Sequence, residues 1–162
     1  MAFRRAKIKE QFDAAIPAVL EPGEQVQAES MVISGPSPWL IGAVGWLVML
    51  LLGQRYYFIV VTDRRVIFMK ASMFTGRPKG LAWADPRGAA QITDVDLDNA
   101  VWSKFRYRRP EGKEIRINVH RFWREDGQHV VGALQSQQPA APAPAQPLPQ
   151  APQQPQGGTF QA

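Results

Sequence analysis

The 162-residue sequence contains no cysteine, which excludes disulfide bonds and cysteine-ligated metal sites. Its two histidines, His120 and His129, stand alone without the spacing of metal ligands. No GxSxG, Walker A or dinucleotide-binding pattern occurs, and residues 76–80 (GRPKG) have the wrong spacing for a phosphate loop. The sequence therefore predicts a protein that is not an enzyme, with no catalytic residue, no cofactor and no metal site.

Charge is missing from the end of the chain. From Ser136 onward no residue is charged, and residues 135–162 hold seven of the 14 prolines and nine glutamines. Such a segment buries too little apolar surface to offset the cost of ordering, so we expect a disordered, partly polyproline II tail over residues 135–162. PxxP spacings begin at Pro139, Pro144 and Pro149, so a protein partner can bind there; the alternative is a solvated tail, because no Arg or Lys flanks them.

A signal-peptide pattern is also absent, because charges interrupt the apolar residues of 8–19 and no cleavage-like site follows. Together with the lack of cysteine, this favours a cytoplasmic protein. The net charge of +5 lies in one half of the chain, since residues 55–134 carry 15 basic and nine acidic side chains. This excess predicts an anionic partner, which lipid headgroups or nucleic acid would satisfy.

One long uncharged apolar run is present, PWLIGAVGWLVMLLL over residues 38–52. As a helix it would rise about 22 Å, less than the roughly 30 Å hydrocarbon core of a bilayer. Three interpretations stay open: a segment that dips into lipid, a helix packed on its own sheet or between copies of the chain, and a tilted single span. The first predicts membrane contact by Trp39, Leu40, Ile41, Val44, Trp46, Leu47, Leu50, Leu51, Arg55 and Tyr56.

The rest of the pattern predicts a mainly β domain with flanking helices. Residues 3–16 favour an amphipathic helix within an N-terminal segment 1–20, which either lies on a membrane or packs on its own domain. Residues 121–134 favour a closing helix, and a turn followed by a short strand is the alternative. Alternation and turn signals predict strands over 24–33, 56–61, 66–69, 80–84, 90–97, 101–108 and 114–120.

The sequence resembles the bacterial pleckstrin-homology-like, or GRAM-like, domains in three features. They are the Pro22-Gly23-Glu24 opening, the stretch YYFIVVTDRRVIFMK over residues 56–70 and the terminal helix. The resemblance covers residues 21–134. It implies a seven-stranded barrel or sandwich with a C-terminal helix, found in membrane-associated or uncharacterised bacterial proteins rather than in catalysts. In this chain the apolar run, residues 38–53, would be a helical insertion between strands 1 and 2.

Within that stretch, Thr62, Asp63, Arg64 and Arg65 match the family's T-[DN]-x-R segment, which marks a hairpin and has a structural role. Phosphoinositide-binding members carry several Lys and Arg between strands 1 and 2. Here that position holds the apolar run, so recognition of such headgroups is not expected.

Residues 104–109 contain a candidate basic patch formed by Lys104, Arg106, Arg108 and Arg109. It predicts contact with lipid phosphates or single-stranded nucleic acid, and the alternative is a strand with one solvated basic face. Taken together, the sequence predicts a membrane-associated binding module on the cytoplasmic membrane face, with membrane lipid as its partner. The alternative is a self-associating scaffold, a homo-oligomer that buries the apolar run; nucleic acid is not the expected partner.

Overall fold

The computed structural model describes residues 2–37, 54–72, 75–98 and 101–136, together with Gly45. The predicted helical insertion over residues 38–53, apart from Gly45, lies outside the described residues. So does the predicted disordered tail beyond residue 136.

Seven strands and two α-helices make up the described chain. All paired strands run antiparallel in a single sheet with the order β4-β3-β2-β1-β7-β6-β5. This confirms the predicted mainly β class with a C-terminal helix and is consistent with a pleckstrin-homology-like sandwich. The elements are α1 (Ala2–Ala15), β1 (Val26–Ser34), β2 (Arg55–Thr62), β3 (Arg65–Ala71), β4 (Pro78–Pro86), β5 (Gln91–Asp96), β6 (Trp102–Arg108), β7 (Glu114–His120) and α2 (Arg124–Gln135).

Strand β2 is buried on both faces, which explains its unbroken apolar sequence. Tyr57 and Ile59 point to the interior of the curled sheet, whereas Phe58 points the other way, towards α1. There the ring of Phe12 stacks on Phe58 with 4.1 Å between centroids. Of the two interpretations open for residues 3–16, the structure therefore shows a helix packed on its own sheet. A strand covered on both sides needs apolar residues at every position.

Aromatic side chains fill the interior between the two halves of the sheet. The Phe68 ring on β3 lies 4.5 Å from Trp83 on β4 and 5.0 Å from Tyr107 on β6, centroid to centroid. β3 and β6 are four positions apart in the strand order. Because their side chains nevertheless touch, the sheet must curl over on itself, and the apolar core lies inside the curl.

Helix α2 closes the core through Val130 and Leu134, both of which are buried. It approaches the sheet at Gly127, where an added Cβ would lie only 2.9 Å from Val119 of β7. Gly127 lacks the favourable helix propensity of alanine and so weakens the sequence signal for this helix. Its missing side chain instead permits the close contact with β7.

The strand boundaries differ from the predicted ones mainly at β4. The predicted strand covers residues 80–84, whereas β4 spans Pro78–Pro86. Gly80 has a φ of +99° and lies close to a register shift between β3 and β4. Glycine tolerates this left-handed conformation inside an irregular edge strand, and its sequence signal is the same as that of a loop.

Candidate functional site

The two ends of the apolar run meet at one end of the β1–β2 pair. Ser34 and Arg55 form the last pair of that ladder, and a Cβ on Gly35 would lie 3.2 Å from the Cα of Gln54. The run therefore leaves the sheet and returns to it at the same point. We call this end of the β1–β2 pair the insertion end.

The base of the insertion is held to β7 by buried hydrogen bonds. The Nδ2 of Asn118 donates to the carbonyl oxygens of Ile33 at 3.3 Å and Gly35 at 3.2 Å. The Gly35 amide in turn donates to the Arg116 carbonyl at 3.2 Å. Asn118 is 1% exposed, so it acts as an internal anchor. The point from which the apolar run departs is thus fixed by the sheet.

Two open grooves flank this point, and both are lined by cations. One groove of about 350 Å³ lies between β2, β3 and β4 and carries Arg55, Lys70 and Lys79. The other, of about 450 Å³, lies between β1, β4 and β7 and carries Arg55, Arg109, Lys113, Glu114 and Arg116. Arg55 borders both grooves because it is the first residue of β2. The insertion end is therefore surrounded by positive side chains.

Most of these cations have no carboxylate partner. Among the residues that the structure describes, Arg55, Lys70, Lys79 and Lys113 take part in no salt bridge, and Arg116 hydrogen-bonds only to the neutral Asn118 side chain. An unpaired cation in solvent keeps its full charge available to an anionic partner. Unpaired positive charge is thus concentrated beside the apolar run.

The predicted basic patch on β6 has a different character, because carboxylates neutralise it. Lys104 lies 3.6 Å from Asp96, Arg106 pairs with Asp94 at 3.2 Å and with Glu114, and Arg108 lies 3.5 Å from Glu114. These three cations share one face of β6, and Phe105 and Tyr107 are buried on the other. This arrangement corresponds to a solvated face of alternating charges rather than to a bare cationic surface.

Arg109 is separated from the other three members of that patch. Its Nη2 lies 2.9 Å from Oδ1 of the buried Asp85, and its guanidinium sits over the Trp83 ring, 5.1 Å from the centroid. Asp85 also accepts a hydrogen bond from the Tyr107 hydroxyl at 3.1 Å. Burial raises the pKa of Tyr107, and the hydrogen bond to Asp85 raises the pKa of Arg109. These groups hold β4 to β6 and have a structural role.

The motif residues Thr62, Asp63, Arg64 and Arg65 form the tight turn between β2 and β3. The Thr62 hydroxyl oxygen accepts from the amides of Arg64 at 3.2 Å and Arg65 at 3.0 Å. Asp63 accepts from the Gln25 amide at 2.9 Å. The motif thus organises the hairpin, with Thr62 buried and Asp63 and Arg64 exposed.

Eight of the ten predicted membrane-contact residues, from Trp39 to Leu51, lie outside the described residues. The two that are described, Arg55 and Tyr56, both lie at the insertion end. Arg55 is exposed, whereas Tyr56 is partly buried, and this burial raises its pKa. The structure therefore places these two side chains beside the departure point of the apolar run.

Sequence reasoning missed the buried Arg87. Its guanidinium donates to the carbonyl oxygens of Thr62 at 2.6 Å and Ala133 at 2.7 Å, and it also bonds the Gln27 side chain. Burial lowers its pKa. The residue directly follows β4, within the sequence Asp85-Pro86-Arg87-Gly88. Nothing in that local pattern distinguishes a buried arginine from an exposed one.

Within the described part of the chain, no cluster of three or more His, Cys, Asp or Glu side chains has metal-binding geometry. The helices of that part are all too short or too polar to cross a bilayer. Comparison with known protein families finds no matching family, and comparison with curated proteins finds no match either.

Proposed function

We propose that this protein is a non-catalytic binding module held on the cytoplasmic face of the membrane. Residues 38–53 insert into the lipid, and the unpaired cations of the insertion end contact anionic headgroups. The observation that carries the proposal is the coincidence of two features at one place. The apolar run departs from the same end of the sheet at which Arg55, Lys70, Lys79 and Lys113 lack carboxylate partners.

The two contributions differ in size. Burying an apolar side chain such as Leu, Val or Phe contributes about 1.5–3 kcal/mol, whereas a Lys or Arg near an anionic surface contributes about 1 kcal/mol. The apolar run therefore supplies most of the attachment energy. The cations supply a preference for anionic lipid and set which end of the sheet faces the bilayer.

Flotation of the protein with vesicles tests the apolar contribution. Wild-type protein should float with vesicles of mixed neutral and anionic lipid, and the double variant Leu47→Asp/Leu51→Asp should stay at the bottom of the gradient. Equal flotation of the two proteins would refute the proposal. Light scattering on detergent-free protein tests the scaffold alternative by measuring the oligomeric state. That alternative requires a defined soluble oligomer in the wild type and its dissociation in the same double variant.

A second pair of variants tests the orientation. Lys70→Ala/Lys79→Ala removes two unpaired cations, and a loss of about 2 kcal/mol corresponds to roughly 30-fold weaker binding to anionic vesicles. Arg106→Ala/Arg108→Ala is the matched control, because it removes two cations that are already paired with Asp94 and Glu114. Equal losses of vesicle binding in the two double variants would show that binding depends on the net charge of the protein and not on the cations of the insertion end.

A further inference from the structure

A groove of about 250 Å³ lies on the face of the sheet that also carries α1. Its floor is formed by β1 and β2, where Ile33 pairs directly with Tyr56 and both side chains point to the same face. Its wall comes from β6, β7 and the turn before α2. The lining residues are Met31, Ile33, Tyr56, Trp102, His120 and Trp123.

Aromatic rings make up most of this lining. Trp102 and His120 are opposite each other in the β6–β7 ladder, and their rings meet edge to face with 4.7 Å between centroids. Trp123 follows in the turn after β7, and Tyr56 of β2 also lines the groove. Tyr56, Trp102 and His120 stand on strands of the sheet, which gives the groove a preformed aromatic lining.

No Lys, Arg, Asp or Glu lines the groove, in contrast to three other grooves of the described chain, and the Arg5 guanidinium lies 5.3 Å from the centroid of the Trp123 ring. The first of those grooves is lined by Lys9, Glu29 and Asp126. The second is lined by Arg55, Lys70 and Lys79, and the third by Lys113 and other cations. His120 is the only titratable group besides Tyr56 in this lining. Burial lowers the pKa of His120, which favours the neutral form of its ring. An uncharged, proline-rich peptide suits such a surface better than an ionic ligand.

The chain itself contains a segment of that chemistry. Residues 137–162 carry no charge and seven prolines, with PxxP spacings at Pro144/Pro147 and Pro149/Pro152. Aromatic-lined grooves bind such segments because the polyproline II conformation loses little entropy on binding. The absence of a flanking Arg or Lys is no obstacle here, since the groove offers no carboxylate to pair with one. We propose that residues 142–152 of the same chain bind this groove in an extended, polyproline II-like conformation.

The connection is long enough for this contact. Trp123 of the groove lies at the start of α2, and the 12 residues of α2 span about 18 Å. Eight residues, 137–144, would span about 25 Å in a polyproline II conformation, enough for the chain to return along the helix and place Pro144 at the groove. A short tether gives an effective concentration in the millimolar range, so a contact with a Kd near 1 mM would be substantially occupied.

A spin-label experiment on the full chain tests the contact. Since the chain has no cysteine, Ala145→Cys provides a single site for a nitroxide. The indole N–H signals of Trp102 and Trp123 should be attenuated several-fold relative to that of Trp83, which lines a different groove. Adding Pro144→Ala/Pro147→Ala should abolish this difference, and the control Gln154→Ala/Gln156→Ala should retain it. All of these substitutions lie outside the strands and helices of the described fold, so the fold is preserved.

Three outcomes would overturn the proposal. Equal attenuation of all the indole signals would show that the tail has no preferred site. Attenuation seen only when isotope-labelled chains are mixed with spin-labelled chains would assign the groove to the tail of a second copy. Absence of the nitroxide effect, with quenching of Trp102 fluorescence by brominated lipid, would assign it to the bilayer. Membrane attachment is measured separately by flotation, so the two proposals can fail independently.

Discussion

The Glu24 carboxylate accepts hydrogen bonds from both Nε and Nη2 of Arg65, at 2.9 and 2.8 Å. The Glu24 side chain is completely buried, and it also accepts from the Thr62 hydroxyl at 2.6 Å and from the Glu21 amide at 2.8 Å. The Pro-Gly-Glu segment and the turn between β2 and β3 therefore form one hydrogen-bonded unit. This unit explains why both patterns occur in a chain of this fold.

Substituting Glu24 by glutamine should destabilise the protein strongly. A neutral amide leaves the Arg65 guanidinium without its buried charge partner, and the expected loss in unfolding free energy is about 3 kcal/mol. Glu21→Gln is the matched control, because Glu21 lies 3.1 Å from the same arginine but its side chain is 55% exposed. We expect that variant to lose less than about 1 kcal/mol. Urea unfolding measures both, and similar losses would contradict this account.

The same carboxylate predicts an acid dependence of stability. The hydrogen bonds from Arg65 lower the pKa of Glu24 from its ordinary 4.5 to about 2. Because the folded pKa lies below the unfolded one, this stabilisation is complete above pH 4.5 and is lost as the pH falls towards 2. The stability difference between wild type and Glu24→Gln should therefore shrink by about 2 kcal/mol between pH 6 and pH 3. A difference that stays constant over this interval would disprove the assignment.

Replacing Arg87 by methionine should also be costly. The change leaves the carbonyl oxygens of Thr62 and Ala133 without their donor inside the protein, at an expected cost of about 2–4 kcal/mol. Arg108→Met is the control: its side chain is 54% exposed, and we expect a change within about 0.5 kcal/mol. Thermal or chemical unfolding measures the stability of both variants. Equal changes in the two variants would contradict a structural role for the Arg87 hydrogen bonds.

Removing the Phe12 ring should release α1. Phe12→Ala deletes a fully buried side chain that stacks on Phe58, with an expected loss of about 3–5 kcal/mol. Trypsin should also cleave faster at Lys7 and Lys9 in this variant. Glu10→Ala, at an exposed position of the same helix, should change stability by no more than about 0.5 kcal/mol. Unchanged cleavage in Phe12→Ala would mean that α1 is held by other contacts.

The fold was largely predictable because its strands carry strong local signals. The alternation of Ile115, Ile117 and Val119 predicts a strand over residues 114–120, which are the observed bounds of β7. The turn residues between β2 and β3 predict the hairpin that these two strands form. The packing of α1 was not predictable. Its apolar positions suit a bilayer as well as a sheet. The contacts that distinguish the two, such as the stacking of Phe12 on Phe58 and the pairing of Arg5 with Asp126, join residues far apart in the sequence.

The candidate site was less predictable, because it depends on pairing between distant residues. Lys104, Arg106 and Arg108 read as a basic patch along the chain, yet their partners come from β5 and β7. Conversely, Lys70 and Lys79 stand apart in sequence, and only the β3–β4 pairing brings them to one groove. Net charge can be counted from a sequence, whereas unneutralised charge requires the strand register.

Helix α1 covers apolar side chains of the sheet that would otherwise face water, including Phe58. A truncated recombinant protein that starts near Pro22 would therefore expose this apolar surface to solvent as a new patch. That patch would bind vesicles, detergents and other copies indiscriminately. Attachment measured on such a fragment would report the damage done by truncation rather than the behaviour of the intact chain.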